Sequence, residues 1–207
     1  ILFADTINRD NNLNYIEYIE ATNPCAEQPL PSYGCCCLGS MNLTMYVRDP
    51  FSNPTFDYRA FLHDVAVAVR MLDNVLDVTH WPLPAQKNEA MNKRRIGLGF
   101  MGLGSALRMM NMAYDSDEAR AFTREVSRHM MNAAYAQSIE LSAEKGPFKK
   151  IKKKSHCADG DRFYNRLISS IKNDIAKYGI RNSHLLSIAP TGTIALAFAN
   201  NASNGLE

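Results

Sequence analysis

The sequence has no long hydrophobic run. Its longest apolar stretch, Ile96 to Leu107, is short and interrupted by glycines, so it offers no membrane-spanning helix, which needs about 20 apolar residues. Charge of one dominant sign is also missing. With 23 basic and 21 acidic residues the formal charge is only +2, which makes no electrostatic case for a nucleic-acid or membrane partner. No low-complexity tract, internal repeat or basic-then-apolar leader is visible, so the sequence suggests neither disorder, nor a solenoid, nor a signal peptide. Cysteine is scarce and unevenly spread: Cys35, Cys36 and Cys37 are adjacent, with Cys25 and Cys157 apart from them. Neighbours this close are poorly placed to bridge one another, so this is no secreted disulfide framework. A cytoplasmic setting, where thiols stay reduced, is the expectation. Both ends look cut, with an apolar Ile-Leu-Phe at the start and Asn204-Gly205-Leu206-Glu207 at the end, and the expectation is a portion of something larger.

What is present suits a packed domain. At 207 residues and 46% hydrophobic, the chain can bury a sizeable core as one large domain or two small ones. Leu13, Ile16, Tyr18 and Ile19 show weak helical spacing. Leu38 to Val47 reads as a strand, ended by Asp49-Pro50. Asp57 is a plausible N-cap for a helix on which Phe61, Val65, Val69, Leu72 and Leu76 share one face, and Trp81-Pro82-Leu83-Pro84 stops it. Ile96 to Gly99 reads as a short buried strand, followed by a helix from about Gly102 to Asn111. Asp115 and Glu118 resemble a capping box for a long helix through Phe122, Val126, Met130, Ala134 and Leu141, ending at Gly146-Pro147. A basic loop, Lys149 to Lys154, leads to a helix over roughly Arg162 to Tyr178 with Gly179 as its left-handed cap. His184 to Ala189 is a predicted strand, and Pro190-Thr191-Gly192-Thr193 turns it into a short helix through Phe198. Strands alternating with long helices predict α/β architecture.

The chemistry concentrates in Asn23-Pro24-Cys25-Ala26-Glu27-Gln28. Pro24 biases Asn23 away from the helical region, and if the backbone is extended, alternation puts Asn23, Cys25 and Glu27 on one face. An amide, a thiol and a carboxyl group would then act together on a hydroxyl-bearing substrate. The alternative is a polar loop with one buried thiol. The triple cysteine does not match zinc spacing, which needs paired CxxC units or spaced histidines. Redox use is better motivated, since a thiol near another can be oxidised to a disulfide and regenerated by exchange; burial as small hydrophobes fits at least one of Cys35 and Cys37. Gly97-Leu98-Gly99-Phe100-Met101-Gly102 matches GxGxxG, but no strand ending in Asp or Glu follows at the dinucleotide-binding distance, and close backbone packing of strand on helix explains the glycines better. At Ala189-Pro190-Thr191-Gly192-Thr193-Ile194 a strand enters a helix start through a hydroxyl-rich turn. That turn can receive phosphate on free N–H groups, or Thr191 can simply cap the helix. The lysine run reads as a solvated loop, and the sequons at Asn42 and Asn201 carry no meaning in a cytoplasmic protein.

Taken together, these stretches resemble the catalytic subunit of ribonucleotide reductases, most closely the adenosylcobalamin-dependent class II type. The resemblance is carried by Asp5-Thr6-Ile7-Asn8-Arg9, by Ala21 to Leu30 around the Asn-Pro-Cys core, by Tyr33 to Leu43 including Cys35-Cys36-Cys37-Leu38-Gly39-Ser40-Met41-Asn42, by Arg95 to Gly99, by Ala189 to Ile194 and by Ser203 to Glu207. It implies a ten-stranded α/β barrel with a central finger loop, residues 1–207 being an inner, incomplete portion of that barrel. It further implies that Cys25 is the thiyl site that takes the ribose 3′ hydrogen, Glu27 the base for the 3′ hydroxyl, and Asn23 the holder of the ribose hydroxyls. Cys36 would be one of the two redox cysteines, Thr191, Gly192 and Thr193 would receive the substrate phosphates, and Ser40 would also contact substrate. The implied cofactor is adenosylcobalamin. The implied partners are a ribonucleotide, the remaining segments of the same enzyme, and a thioredoxin-like or glutaredoxin-like reductant. The family's second redox cysteine and its C-terminal cysteine pair have no counterpart here, so the chain alone is expected to show no turnover. A rival of another class is a non-catalytic nucleotide- or metal-binding module built from the same pieces.

Overall fold

A computed structural model describes residues 2–158 and 160–198; the Asn201 sequon and the Ser203 to Glu207 motif lie outside the described residues. Helix α1 (Ala4–Asp10) is followed by a turn-rich segment rather than a continued helix, and a two-residue antiparallel pair, β1 (Ala21–Thr22) and β2 (Pro29–Leu30), holds the cysteine-bearing loop between its strands. Strand β3 (Cys37–Asn42) comes next and is shorter than the expected Leu38 to Val47. The reason is local. The Asn42 carboxamide oxygen accepts from the Thr44 backbone N–H and hydroxyl (3.1 and 2.7 Å), capping a 3-10 turn at Leu43–Tyr46 that takes the chain out of the sheet. Strands β4 (Val47–Arg48) and β5 (Thr55–Phe56) close a small hairpin.

Helix α2 (Tyr58–Val78) forms as its spacing requires. Asp57 accepts from the Ala60 backbone N–H at 2.9 Å, and Phe61, Val65, Val69, Leu72 and Leu76 are all buried on the face that meets β3 and strand β6 (Ile96–Met101). Between them lies α3 (Pro84–Lys93), where the sequence predicts only the stop of the preceding helix. Pro84 sits in its first turn, where a missing N–H costs nothing, and it ends at Arg94 in the left-handed region (φ 51°). Strand β6 is buried throughout and pairs in parallel with β3, from Cys37 opposite Ile96 to Asn42 opposite Met101. Gly97 and Gly99 lie inside this strand, with Gly102 (φ 75°) just before α4 (Leu103–Met109), so the GxGxxG string forms no phosphate turn.

The long helix α5 (Asp117–Lys145) is capped by Ser116, whose hydroxyl accepts from the Ala119 N–H at 3.1 Å; the cap falls one residue later than the expected Asp115. It packs between α2 and α7 (Ser169–Tyr178). The basic run is solvated as expected, although its last lysines begin the single turn α6 (Lys153–His156). The helix expected over Arg162 to Tyr178 is divided. Residues Phe163–Arg166 form a 3-10 turn, and Leu167 and Ile168 are extended before α7 begins. Tertiary contacts override helix propensity here: Tyr164 donates its backbone N–H to Asn12 Oδ1 at 2.8 Å, and Tyr164 and Leu167 are buried in the core. Gly179 follows with φ 79° and ψ −169°, so it is not in the left-handed helical cap geometry expected of it.

The segment 184–188 runs alongside β6 in parallel, bridged at Leu98 and Leu186 and bonded through Ile96 N to His184 O (3.1 Å) and Ser187 N to Leu98 O (3.1 Å). Three parallel segments therefore lie in the order β3, β6, 184–188, and helix α8 (Thr191–Phe198) begins just beyond the last. The architecture is mixed α/β, as predicted. No helix among the described residues is long and apolar enough to cross a membrane.

Candidate active site

The residues 23–28 are not extended. They form a tight turn in which Asn23 O accepts from the Ala26 N–H at 3.0 Å, Asn23 N donates to Gln28 O at 3.2 Å, and Asn23 Oδ1 accepts from the Gln28 N–H at 3.0 Å. Ala26 takes the left-handed region at φ 66°, which costs a non-glycine residue about 1 kcal/mol or more. The expected alternation of faces is thus replaced by a loop with Cys25 exposed at its tip. Asn23 spends its carboxamide oxygen on shaping that loop.

Two contacts fix the loop against the sheet. The Ser187 hydroxyl donates to Glu27 O at 2.8 Å. Gln28 is buried against Gly97, where an added Cβ would come within 2.6 Å of Gln28 Nε2. At Gly99 a Cβ would meet Ser187 O at 2.2 Å. The two glycines therefore admit the loop and the 184–188 segment, rather than the helix that the sequence predicts. Ser187 carries no signal of its own in the sequence. The glycine pair signalled a close approach without saying what approaches.

Of the eight expected site residues, Cys25, Glu27, Thr191 and Gly192 line one cleft of about 440 Å³, together with Ala26, Ile188 and Pro190. Thr191 is buried, Gly192 half-buried, and Thr193 exposed on the first turn of α8. Glu27 Oε2 is buried with no hydrogen-bond partner. Such an atom costs free energy unless something else comes to meet it. Glu27 also borders a second, largely apolar cavity of about 250 Å³ with Gln28, Arg95 and His184. His184 is held neutral, its pKa pushed well down by burial and by the nearby Arg95 charge.

Asn23, Cys36, Ser40 and Thr193 are not in the cleft wall. Cys36 lies just before β3, half-buried, with its thiol 3.8 Å from Cys37 O. Burial pushes its pKa up to about 12, Arg95 opposes the rise, and Cys37, Cys35 and Glu27 add to it. Cys36 and Glu27 are thus within electrostatic reach of each other. Ser40 lies opposite Gly99 on β3, and its hydroxyl is buried without a hydrogen-bond partner. All five cysteines are free thiols, and no group of three or more His, Cys, Asp or Glu side chains gathers into a metal site among the described residues.

The arrangement can place a substrate between an exposed thiol, a buried carboxylate oxygen and the helix start that follows the 184–188 segment. Comparison with known proteins agrees in outline. Residues 1–207 match the family model described as ribonucleotide reductase, barrel domain. Over 207 residues the chain is 36% identical to the vitamin B12-dependent ribonucleoside-diphosphate reductase of Mycobacterium tuberculosis, covering all of this chain and 26% of that protein. It is 34% identical over 223 residues to the protein of the same name from Thermoplasma acidophilum, again all of this chain and 26% of that protein. The large chain of ribonucleoside-diphosphate reductase from Neurospora crassa is 30% identical over 215 residues, 97% of this chain and 23% of that one. The chain thus spans about a quarter of the length of these relatives.

Proposed function

Because the chain belongs to the ribonucleotide reductase barrel-domain family, we propose that it forms the catalytic centre of a longer enzyme that reduces ribonucleotides to 2′-deoxyribonucleotides. The observation that carries this reading is the single cleft shared by Cys25, Glu27 and the Thr191-Gly192 helix start. The phosphates of the substrate sit at the first turn of α8, where the positive end of the helix dipole favours an anion, with Thr191 and Thr193 beside them. The ribose then reaches the loop. A sulfur radical at Cys25 takes the 3′ hydrogen, Glu27 accepts the 3′ hydroxyl proton, and the 2′ hydroxyl takes a proton from a thiol of the redox pair and departs as water. The amide nitrogen of Asn23, which the loop does not use, is left to hold a ribose hydroxyl, as is the hydroxyl of Ser40. Two electrons come from a thiol pair of which Cys36 is one member.

The names of two relatives point to cobalamin, and the residues present suit it: Cys25 is exposed at a loop tip, where a bulky group can approach its sulfur. When bound, adenosylcobalamin supplies a carbon radical able to remove hydrogen from a thiol. In this reading the three parallel segments belong to a ten-stranded barrel, with residues 1–207 as its central portion and the loop as its finger. A thioredoxin- or glutaredoxin-like dithiol restores the enzyme, and the setting is cytoplasmic.

The test is nucleotide reduction by the full-length protein with adenosylcobalamin and a dithiol. Cys25→Ser is expected to abolish it, and residues 1–207 alone are expected to show none. Full activity in Cys25→Ser would remove Cys25 from the reaction, and a full-length wild-type protein that binds nucleotide without reducing it would favour the rival, a nucleotide- or metal-binding module without catalysis.

A further inference from the structure

The β3–β6 register brings together two residues that the scheme above leaves apart. Cys37 lies opposite Ile96, so one step back along both chains Cys36 stands level with Arg95. Neighbouring strands lie about 4.7–4.9 Å apart, so side chains entering them at the same level are close enough to interact. Arg95 is only 3% exposed. One of its terminal nitrogens holds Glu17 Oε1 at 2.6 Å and the other lies 3.7 Å from Glu89 Oε1. Its Nε is buried without a hydrogen-bond partner. The same side chain borders the cavity that Glu27, Gln28 and His184 line. A buried cation tethered on one side, with a donor uncommitted on the other, is what an anion formed nearby requires.

We propose that Arg95 is a positioning residue for the redox chemistry of Cys36, its guanidinium stabilising the thiolate that Cys36 becomes during thiol–disulfide exchange. This rests on the reading of Cys36 as a redox thiol. In the exchange, a thiolate of the external dithiol attacks a disulfide between Cys36 and a second cysteine of the longer protein. It bonds to that second sulfur, the S–S bond breaks, and Cys36 leaves with the electron pair before taking a proton from water. A leaving thiolate that is better stabilised leaves faster. The groups facing Cys36 are few. Burial, Cys35 and Cys37 on its own segment, and Glu27 on the loop all disfavour its anion, whereas Arg95 favours it. Cys35 also feels Arg95 as an opposing influence to burial. Arg95 in turn is shared with Glu17 and Glu89, which temper its field.

The test is the alkylation rate of Cys36 by iodoacetamide in the full-length protein at one mildly alkaline pH, followed on the Cys36 peptide by mass spectrometry. The rate tracks the thiolate fraction. Arg95→Gln is expected to slow it about tenfold, the effect of one pKa unit for a lost neighbouring charge, and Arg95→Lys to restore most of it. Glu17→Gln, which leaves the guanidinium less neutralised, is expected to speed it by about threefold. Loosened packing would speed alkylation in every variant, so opposite signs separate charge from structure. A faster or unchanged rate in Arg95→Gln, or a slower one in Glu17→Gln, would overturn the proposal. The readout needs no turnover. If Cys36→Ser keeps full reductase activity, it is the assignment of Cys36 that fails, whatever the alkylation rates show.

Discussion

Two carboxylates of this chain have opposite fates. Asp73 on α2 is fully buried, and both its oxygens are used: Oδ1 accepts from Arg94 Nε (2.7 Å) and Asn182 Nδ2 (2.9 Å), and Oδ2 from Arg181 Nε (3.2 Å). Asn182 is anchored in turn by Ser138 on α5, which donates to its side chain at 2.9 Å and accepts its N–H at 3.0 Å. This network ties α2, the start of β6, α5 and the approach to the 184–188 segment into one frame. Glu27 has the reverse arrangement, on a strained turn, with Oε2 buried and unmatched. A buried polar group that is satisfied serves the fold, and one left unmet inside a cleft costs free energy unless something comes to meet it. The frame makes the loop possible, because the strained turn at Ala26 persists only when its surroundings hold it.

Substitutions can break or sharpen this contrast. The largest effect is expected from Glu27→Gln in the full-length protein: turnover should fall by about 10²–10⁴-fold, the range for a lost general base, with the denaturation midpoint unchanged. A loss of stability comparable to the loss of rate would erase the distinction. Asp73→Ala should do the opposite. It leaves the buried Arg94 Nε and Asn182 Nδ2 without the carboxylate they bond, while Asp77 still holds the end of the Arg94 guanidinium, and should cost about 3 kcal/mol by urea denaturation; a stability change within about 0.5 kcal/mol would show that the network is dispensable. Gly97→Ala tests the link between the two regions, since its Cβ would press on Gln28 Nε2 and Leu38 Cδ2, both at 2.6 Å. We expect activity to fall about tenfold or more, as a small misplacement of reacting groups does, with a stability loss of about 1–3 kcal/mol from overpacking.

The smallest effect concerns pH. Burial alone would raise the Asp73 carboxyl, but its hydrogen bond and ion pair with Arg94, and the Arg181 charge, hold it below the usual carboxylate range. A depressed carboxyl contributes stability that is present above its unfolded pKa of about 3.9 and is lost as pH falls through the lower folded value. The stability of the wild-type protein should therefore fall more steeply with acid below about pH 4 than that of Asp73→Asn. Parallel curves would remove Asp73 from the acid response.

Much of the frame was legible in the sequence. The five apolar residues of α2 repeat every three or four positions, and all five are buried as that spacing requires. The parallel strand at Ile96 and the helix start at Thr191 were equally plain. Helix α3 was not, because it buries only Ala90 and Lys93 and therefore carries almost no apolar periodicity. The break before α7 was hidden for another reason: Asn12, about 150 positions away, decides it.

The loop is the instructive failure. Pro24 biases Asn23 towards an extended backbone, yet Asn-Pro also initiates turns, with proline supplying the φ that the second turn position needs. What the sequence could not indicate is the left-handed Ala26, for nothing about alanine suggests it. Cys25 and Glu27 still reach one cleft because a turn of this size can bring both to the same wall, by a route different from strand alternation.

The central claim, that the cleft between Cys25, Glu27 and the start of α8 takes the ribonucleotide, is tested most directly by a crystal structure of the full-length protein with substrate bound. The account predicts the phosphates against Thr191, Gly192 and Thr193, and the ribose 3′ carbon within about 3–4 Å of Cys25 Sγ, a reactive separation. A nucleotide bound elsewhere, for instance in the cavity beside His184, with Cys25 far from the sugar, would contradict it.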